Sequence, residues 1–299
     1  FALTACSGEE KEESSNGATE TTTETTTEAT TETTTEATTE ATTETTTEAE
    51  VAVLVGDVTV SGSTSVEKIG KAAGVEFMAL NPGVNFSYEG IGSSAGIENG
   101  NTGTTMIGTS SRGLKEAEEG YGLTVKTLAF DGIAVVVHPS NEVADLSVEQ
   151  VKAIFKGEIT NWSEVGGKDA AISVVSREDG SGTRGAFEEI VGFEGELSGS
   201  ALVKDGNGNV QATVASDEDS IGYVSFTYID ETIKAVKVEG VDATVENVLN
   251  ETFPISRPFL MVYHDENLSD AAKAFVDFVM SEAGQNIVQD NGGIRVDGK

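Results

Sequence analysis

Three times between residues 58 and 184 the sequence repeats one local plan: a short apolar run, a turn rich in glycine and hydroxyls, then a segment with helical spacing. The first is Val58-Thr59-Val60 running into Ser61-Gly62-Ser63-Thr64-Ser65. The second is Phe86-Ser87-Tyr88 running into Gly90-Ile91-Gly92-Ser93-Ser94-Ala95-Gly96, and the third is Ile172-Ser173-Val174-Val175 running into Arg177-Glu178-Asp179-Gly180-Ser181-Gly182-Thr183. A chain built on such alternation belongs to the α/β class, with mainly parallel strand pairing expected. Helix N-termini expose unpaired N–H groups and a positive dipole end, which suits anions. Ser and Thr add short donors, and Arg177 adds a planar, permanently charged fork. Each turn alone is an ordinary cap or loop; three of them beside an arginine point to a site for a small anion.

Periodicity predicts strands over 57–60, 84–88, 105–107, 128–130, 133–137, 172–175, 221–225 and 259–263. It predicts helices over 66–80, 96–99, 114–119, 147–155, 184–191 and 269–280. Ser147 is the expected N-cap of its helix, with Gln150 completing a capping box.

The first fifty residues cannot join that body. Glu20, Glu24, Glu28, Glu32, Glu36, Glu40, Glu44 and Glu48 recur every fourth residue, separated by Thr and Ala. On a helix they would repel at i,i+4, the intervening Thr favours helix poorly, and no apolar face exists to bury. Residues 7–50 therefore read as a disordered tether with a reach of roughly 35–40 Å. The formal net charge of the whole chain is −33, of which residues 1–50 carry −12. So acidic a surface argues against nucleic acid and anionic lipid as partners.

The single cysteine, Cys6, rules out an internal disulfide and a thiolate metal site; no metal and no cofactor are expected. Phe1-Ala2-Leu3-Thr4-Ala5-Cys6 resembles the lipobox of bacterial lipoproteins, where a signal segment is cut before a cysteine that then carries lipid. Residues 1–6 are accordingly expected to be the end of a signal segment, and the protein to be anchored outside the cytoplasm through Cys6.

A wider resemblance rests on a run of motifs: Ser61-Gly62-Ser63-Thr64, Tyr88 to Gly96, Ile107-Gly108-Thr109-Ser110-Ser111-Arg112, Phe155 to Trp162, Arg177 to Arg184, Ser220-Ile221-Gly222-Tyr223 and Pro254-Ile255-Ser256-Arg257-Pro258. In that order they resemble the phosphate-binding subunit of bacterial ABC-type phosphate importers, within the periplasmic-binding-protein-like superfamily, from about Val58 to Gly293. The resemblance implies a two-lobed, type II fold with the ligand between the lobes. Lobe one would be 51–130 plus 256–299 and lobe two 131–255, with crossings near 129–132 and 254–258. It implies Thr64, Ser65, Ser93, Ser111, Arg177, Ser181, Gly182 and Thr183 as phosphate ligands, with Asp179 holding Arg177. Some family members carry an aspartate where this chain has Ser111; that carboxylate accepts a bond from protonated phosphate and so rejects sulfate. The implied partners of this monomer are inorganic phosphate, membrane permease subunits and a separate ATPase, since no Walker A motif occurs in the chain.

Other readings remain open from the sequence. Gly92-Ser93-Ser94-Ala95-Gly96 matches the G-x-S-x-G pattern of a serine hydrolase, with His264 downstream. The same fold could take sulfate, molybdate or tungstate, or serve as a surface adhesin or signalling lipoprotein. Arg112 is either a ligand or the partner of a surface glutamate. Trp162, His138 and His264 read as packing or surface residues.

Overall fold

The computed structural model describes residues 53–298; the expectations for Cys6 and the Thr/Glu-rich segment lie outside the described residues. Eleven strands are present among them: β1 (Val55–Gly62), β2 (Gly83–Gly90), β3 (Ile107–Ser110), β4 (Thr124–Val137), β5 (Asp145–Leu146), β6 (Ser173–Arg177), β7 (Leu202–Lys204), β8 (Ser220–Ser225), β9 (Lys234–Ala235), β10 (Lys237–Val238) and β11 (Ser256–Tyr263). The main sheet runs β2-β1-β3-β11-β4-β8-β6-β7, with β9 also paired to β4. Its flanks are parallel, as the alternation of strand and helix predicts. Its centre is antiparallel, because β4 and β11 run in opposite directions beside each other.

The two strands expected over 128–130 and 133–137 are one continuous strand. The first part of β4, as far as Gly132, pairs with β11, and Ile133 to Val137 pair with β8. The apolar core divides at the same place. One cluster gathers Val58, Ile69, Phe77, Ile107, Phe259 and Phe275, and reaches along β4 to Ala129. The other begins at Ile133 and includes Val135, Phe155, Trp162, Phe187, Tyr223 and Phe253. Each of these large side chains contributes about 1.5–3 kcal/mol on burial. Ile294 joins the second cluster while bridging Phe130, so the C-terminal tail packs across the division.

Helix boundaries follow local chemistry. Ser147 caps the helix Val148–Lys156 and Gln150 closes the box, as expected. Ser269 caps Asp270–Met280, whose apolar face carries Phe275, Val276 and Val279 into the first cluster. The second glycine turn opens a helix at Ser93 that extends to Thr102, longer than its glycines suggest. Three helices escape the periodicity, Gly206–Ser216, Val245–Leu249 and Glu282–Asp290. The first opens on Gly206-Asn207-Gly208-Asn209, which reads as loop, and Asp205 precedes it in extended conformation.

Candidate functional site

The three glycine turns converge at the division between the cores. In the first, Gly62 has φ 138°, and a Cβ there would lie 2.2 Å from Thr109 O, so only glycine fits. Ser63 N donates to Thr109 O at 3.1 Å, and the buried Tyr88 hydroxyl donates to Ser63 O at 2.7 Å. These bonds fix a turn that delivers Thr64 and Ser65. Ser65 Oγ lies 2.8 Å from Thr183 Oγ1 of the third turn, and Thr64 Oγ1 accepts from Arg177 Nη2 at 3.1 Å.

The second turn places Ser93 at the first position of its helix, fully buried. Ser93 Oγ accepts from Ser111 N at 3.1 Å and lies 3.3 Å from Ser111 Oγ. Gly182 sits against both hydroxyls: a Cβ on it would be 2.1 Å from Ser93 Oγ and 2.7 Å from Ser111 Oγ. Ser94 N donates to Gly180 O at 3.1 Å, a further bond between the second and third turns. Ser181 is buried too, but its hydroxyl caps its own helix by accepting from Arg184 N.

Arg177 is 1% exposed. Its Nε and Nη2 donate to Glu178 at 2.7 Å each, while Nη1 is buried and has no hydrogen-bond partner among the described residues. The role expected of Asp179 is thereby corrected. Asp179 is 97% exposed and pairs with Arg184 at 2.7 Å, and the carboxylate that holds Arg177 is Glu178. After an extended strand, neighbouring side chains point to opposite faces, but the turn that begins at Glu178 folds its carboxylate back onto the guanidinium. Burial opposes the charge of Glu178, yet the hydrogen bonds and charge of Arg177 and the Gly206 N–H hold its carboxyl below the usual range. Tyr223, stacked on Phe187 at 4.1 Å, accepts from Arg177 N, and burial pushes its phenol up to about 12.

Three residues not singled out from the sequence complete the cluster. Asn207, wholly buried, donates to Thr64 Oγ1 at 3.2 Å and to Ser65 Oγ at 2.9 Å. Arg257 of β11 donates to Ser65 Oγ and to Ser111 O, both at 3.1 Å. Asp131 of β4 accepts from Arg257 Nη2 and Nε at 2.8 and 3.0 Å, and from Ser225 Oγ and Phe226 N through its other oxygen. Burial pushes the Asp131 carboxyl upward against the pull of Arg257, and the same burial lowers the guanidinium's pKa. Arg257 lies inside Pro254-Ile255-Ser256-Arg257-Pro258, so a cation between two prolines was the available signal; Asp131 gave none beyond a lone acid in an apolar run.

Arg112 pairs in bidentate fashion with Glu118 at 2.7 Å and donates to Ser94 Oγ, which settles its assignment as an ion-pair residue. Ser93 bonds Ser111 while His264 meets Asn101, so the two do not form a nucleophile–base pair. His138 meets Ser140, and Trp162 is a core residue whose Nε1 donates to Asp219 O. Among the described residues no cluster of three or more His, Cys, Asp or Glu could hold a metal.

Two core halves joined through β4 and β11, with hydroxyls, helix N-termini and a buried guanidinium between them, define a solute-binding protein of the two-lobed kind. The family comparison agrees: the PBP superfamily domain matches residues 16–283. The phosphate-binding protein PstS of Bacillus subtilis strain 168 is 34% identical over 248 residues, covering 81% of each chain. Among solved structures, a phosphate ABC transporter substrate-binding protein from Clostridium perfringens, crystallised with bound phosphate, is 50% identical with a TM-score of 0.80, over 81% of this chain and 100% of that one. An ABC-type phosphate transport receptor from Vibrio cholerae is 36% identical with a TM-score of 0.69, over 79% and 99%. The chain belongs to the PBP superfamily and, within it, to the PstS family of phosphate-binding proteins.

Proposed function

We propose that this protein captures inorganic phosphate between its two lobes, outside the cytoplasm, and hands it to the permease of an ABC importer. The observation that carries the reading is Arg177 Nη1: a buried N–H of a permanent cation with no protein partner, among hydroxyls drawn from both core halves. A buried donor left unpaired costs about 1–3 kcal/mol, and an oxyanion seated between Arg177, Thr64, Ser65, Ser93, Ser111, Ser181, Gly182 and Thr183 would relieve it. Lobe one is residues 51–130 with 256–299 and lobe two is 131–255, so that phosphate satisfies both donor sets only when they close on it. Cys6 carries the lipid, the Thr/Glu-rich segment spaces the monomeric body from the membrane, and the protein performs no catalysis.

Calorimetric titration of the purified protein with phosphate, with sulfate as competitor, tests this. Tight phosphate binding that survives excess sulfate and is lost in Arg177→Ala supports it. Sulfate binding as tightly as phosphate would reassign the ligand and trace to Ser111, which stands where some family members carry an aspartate. Absence of binding to any oxyanion by a folded sample would remove the capture role.

A further inference from the structure

The hydroxyls of Thr64 and Ser65 each have one hydrogen to give and two lone pairs to receive. Both lone pairs of each are spoken for. Ser65 Oγ accepts from Asn207 Nδ2 at 2.9 Å and from Arg257 Nη2 at 3.1 Å. Thr64 Oγ1 accepts from Asn207 Nδ2 at 3.2 Å and from Arg177 Nη2 at 3.1 Å. The orientation of the Asn207 amide is not arbitrary: Ser225 N, a backbone group that can only donate, lies 3.1 Å from its Oδ1. The amide oxygen must face Ser225, which turns both amide hydrogens on the two hydroxyls. Arg257 is held with equal definition, since Asp131 takes two of its N–H groups and is itself satisfied by Ser225 and Phe226.

From this we infer that Asn207, backed by the Asp131–Arg257 pair, is the positioning residue that fixes Thr64 and Ser65 as hydrogen-bond donors toward the bound anion. With its lone pairs filled, Ser65 can only donate, to Thr183 Oγ1 at 2.8 Å or to an oxyanion. Thr183 then has its own hydrogen to direct onward. A hydroxyl whose rotor is set as the halves close turns its hydrogen away from its filled lone pairs, and donation into it from a guanidinium strengthens its own bond. Asn207 also belongs to the second core half and its two acceptors to the first, so the same amide joins the halves whenever they close. The inference rests on the phosphate-capture reading and names the residues that tune it.

Asn207→Asp keeps the shape and reverses the polarity: its carboxylate would take the hydrogens of Thr64 and Ser65. Asn207→Ala removes the polarity without adding charge. Phosphate affinity of the full chain is measured by calorimetry at pH 8 and pH 5, each value divided by that of the wild type to cancel the ionisation of phosphate, with the ligand-free melting temperature recorded. The expected result is a loss of about 100-fold for Asn207→Asp and about 10-fold for Asn207→Ala at pH 8. At pH 5 the aspartate variant should recover at least about threefold, as a protonated carboxyl regains one donor, while the alanine variant stays where it was. If the wild type binds phosphate and Asn207→Ala binds within about twofold of it, the inference is overturned. Equal losses for both variants at both pH values would reduce Asn207 to packing and overturn it as well. A wild type that binds no phosphate refutes the capture reading instead.

Discussion

Arg177 is gripped by the residue next to it in sequence: Glu178 receives its Nε and Nη2 at 2.7 Å each and Gly206 N at 3.1 Å. The one carboxylate thus orients the guanidinium and pins the start of the helix that carries Asn207. Glu178→Ala should therefore weaken phosphate binding by about 10–100-fold, the scale of one or two charge-assisted bonds. Asp179→Asn, changing an exposed partner of Arg184, should leave it within about twofold. Calorimetry on the two variants decides between the neighbours.

The same ion pair gives a pH signature. Glu178 has its folded-state pKa lowered below the ordinary 4.5, so its contribution to stability is complete above that value and is lost as pH falls through the depressed one. The melting-temperature gap between the wild type and Glu178→Gln should be constant from pH 7 to about 5 and close as the pH drops below 4.5. A gap that widens on acidification would contradict the sign.

Arg257 and Asp131 are buried together, at 1% and 0% side-chain exposure. Removing one partner leaves an uncompensated charge in the interior, so Arg257→Met should cost about 3–5 kcal/mol in urea unfolding. The double variant Asp131→Asn, Arg257→Met should recover part of that loss. Additive losses would mean the two side chains act independently.

Gly182 tests the closed arrangement. A methyl group there would meet Ser93 Oγ at 2.1 Å and the less yielding Ser93 Cβ at 2.7 Å. Gly182→Ala should reduce phosphate affinity by at least about 100-fold, with the ligand-free melting temperature within about 5 °C of wild type. Small-angle scattering should then show no compaction on adding phosphate.

Seven of the eleven strands, the glycine turns and most of the hydroxyl cluster were legible in the sequence, because those features are local: a strand end, a residue that must be glycine, a hydroxyl at a helix start; β5, β7, β9 and β10 are too short for a period to show. It was weaker where partners are distant or neighbouring residues compete. Nothing local distinguishes Glu178 from Asp179, since both follow Arg177; only the folded turn shows which carboxylate comes back to it. Asn207 was hidden because Gly206-Asn207-Gly208-Asn209 carries turn chemistry, and the helix there is held by packing of Val210 and Val214 in the second core. Asp131 was hidden in an apolar run, its partner 126 residues away. The break expected within β4 was the polar Asp131-Gly132 step, where the strand changes neighbours without ending.

Each arginine in the cluster already has its own carboxylate, Glu178 for Arg177 and Asp131 for Arg257. The pocket is thus close to electrically balanced, and it sits in a chain whose formal charge is −33. An anion seated there would be held by short-range geometry, which vanishes within an ångström or two of separation, whereas the surrounding field is repulsive and reaches about 10 Å at 0.1 M salt. Parting the lobes would then be enough for unloading: once the donors were out of reach the chain itself would expel its cargo, and a transporter that pried the cleft open would need no competing charge to empty it.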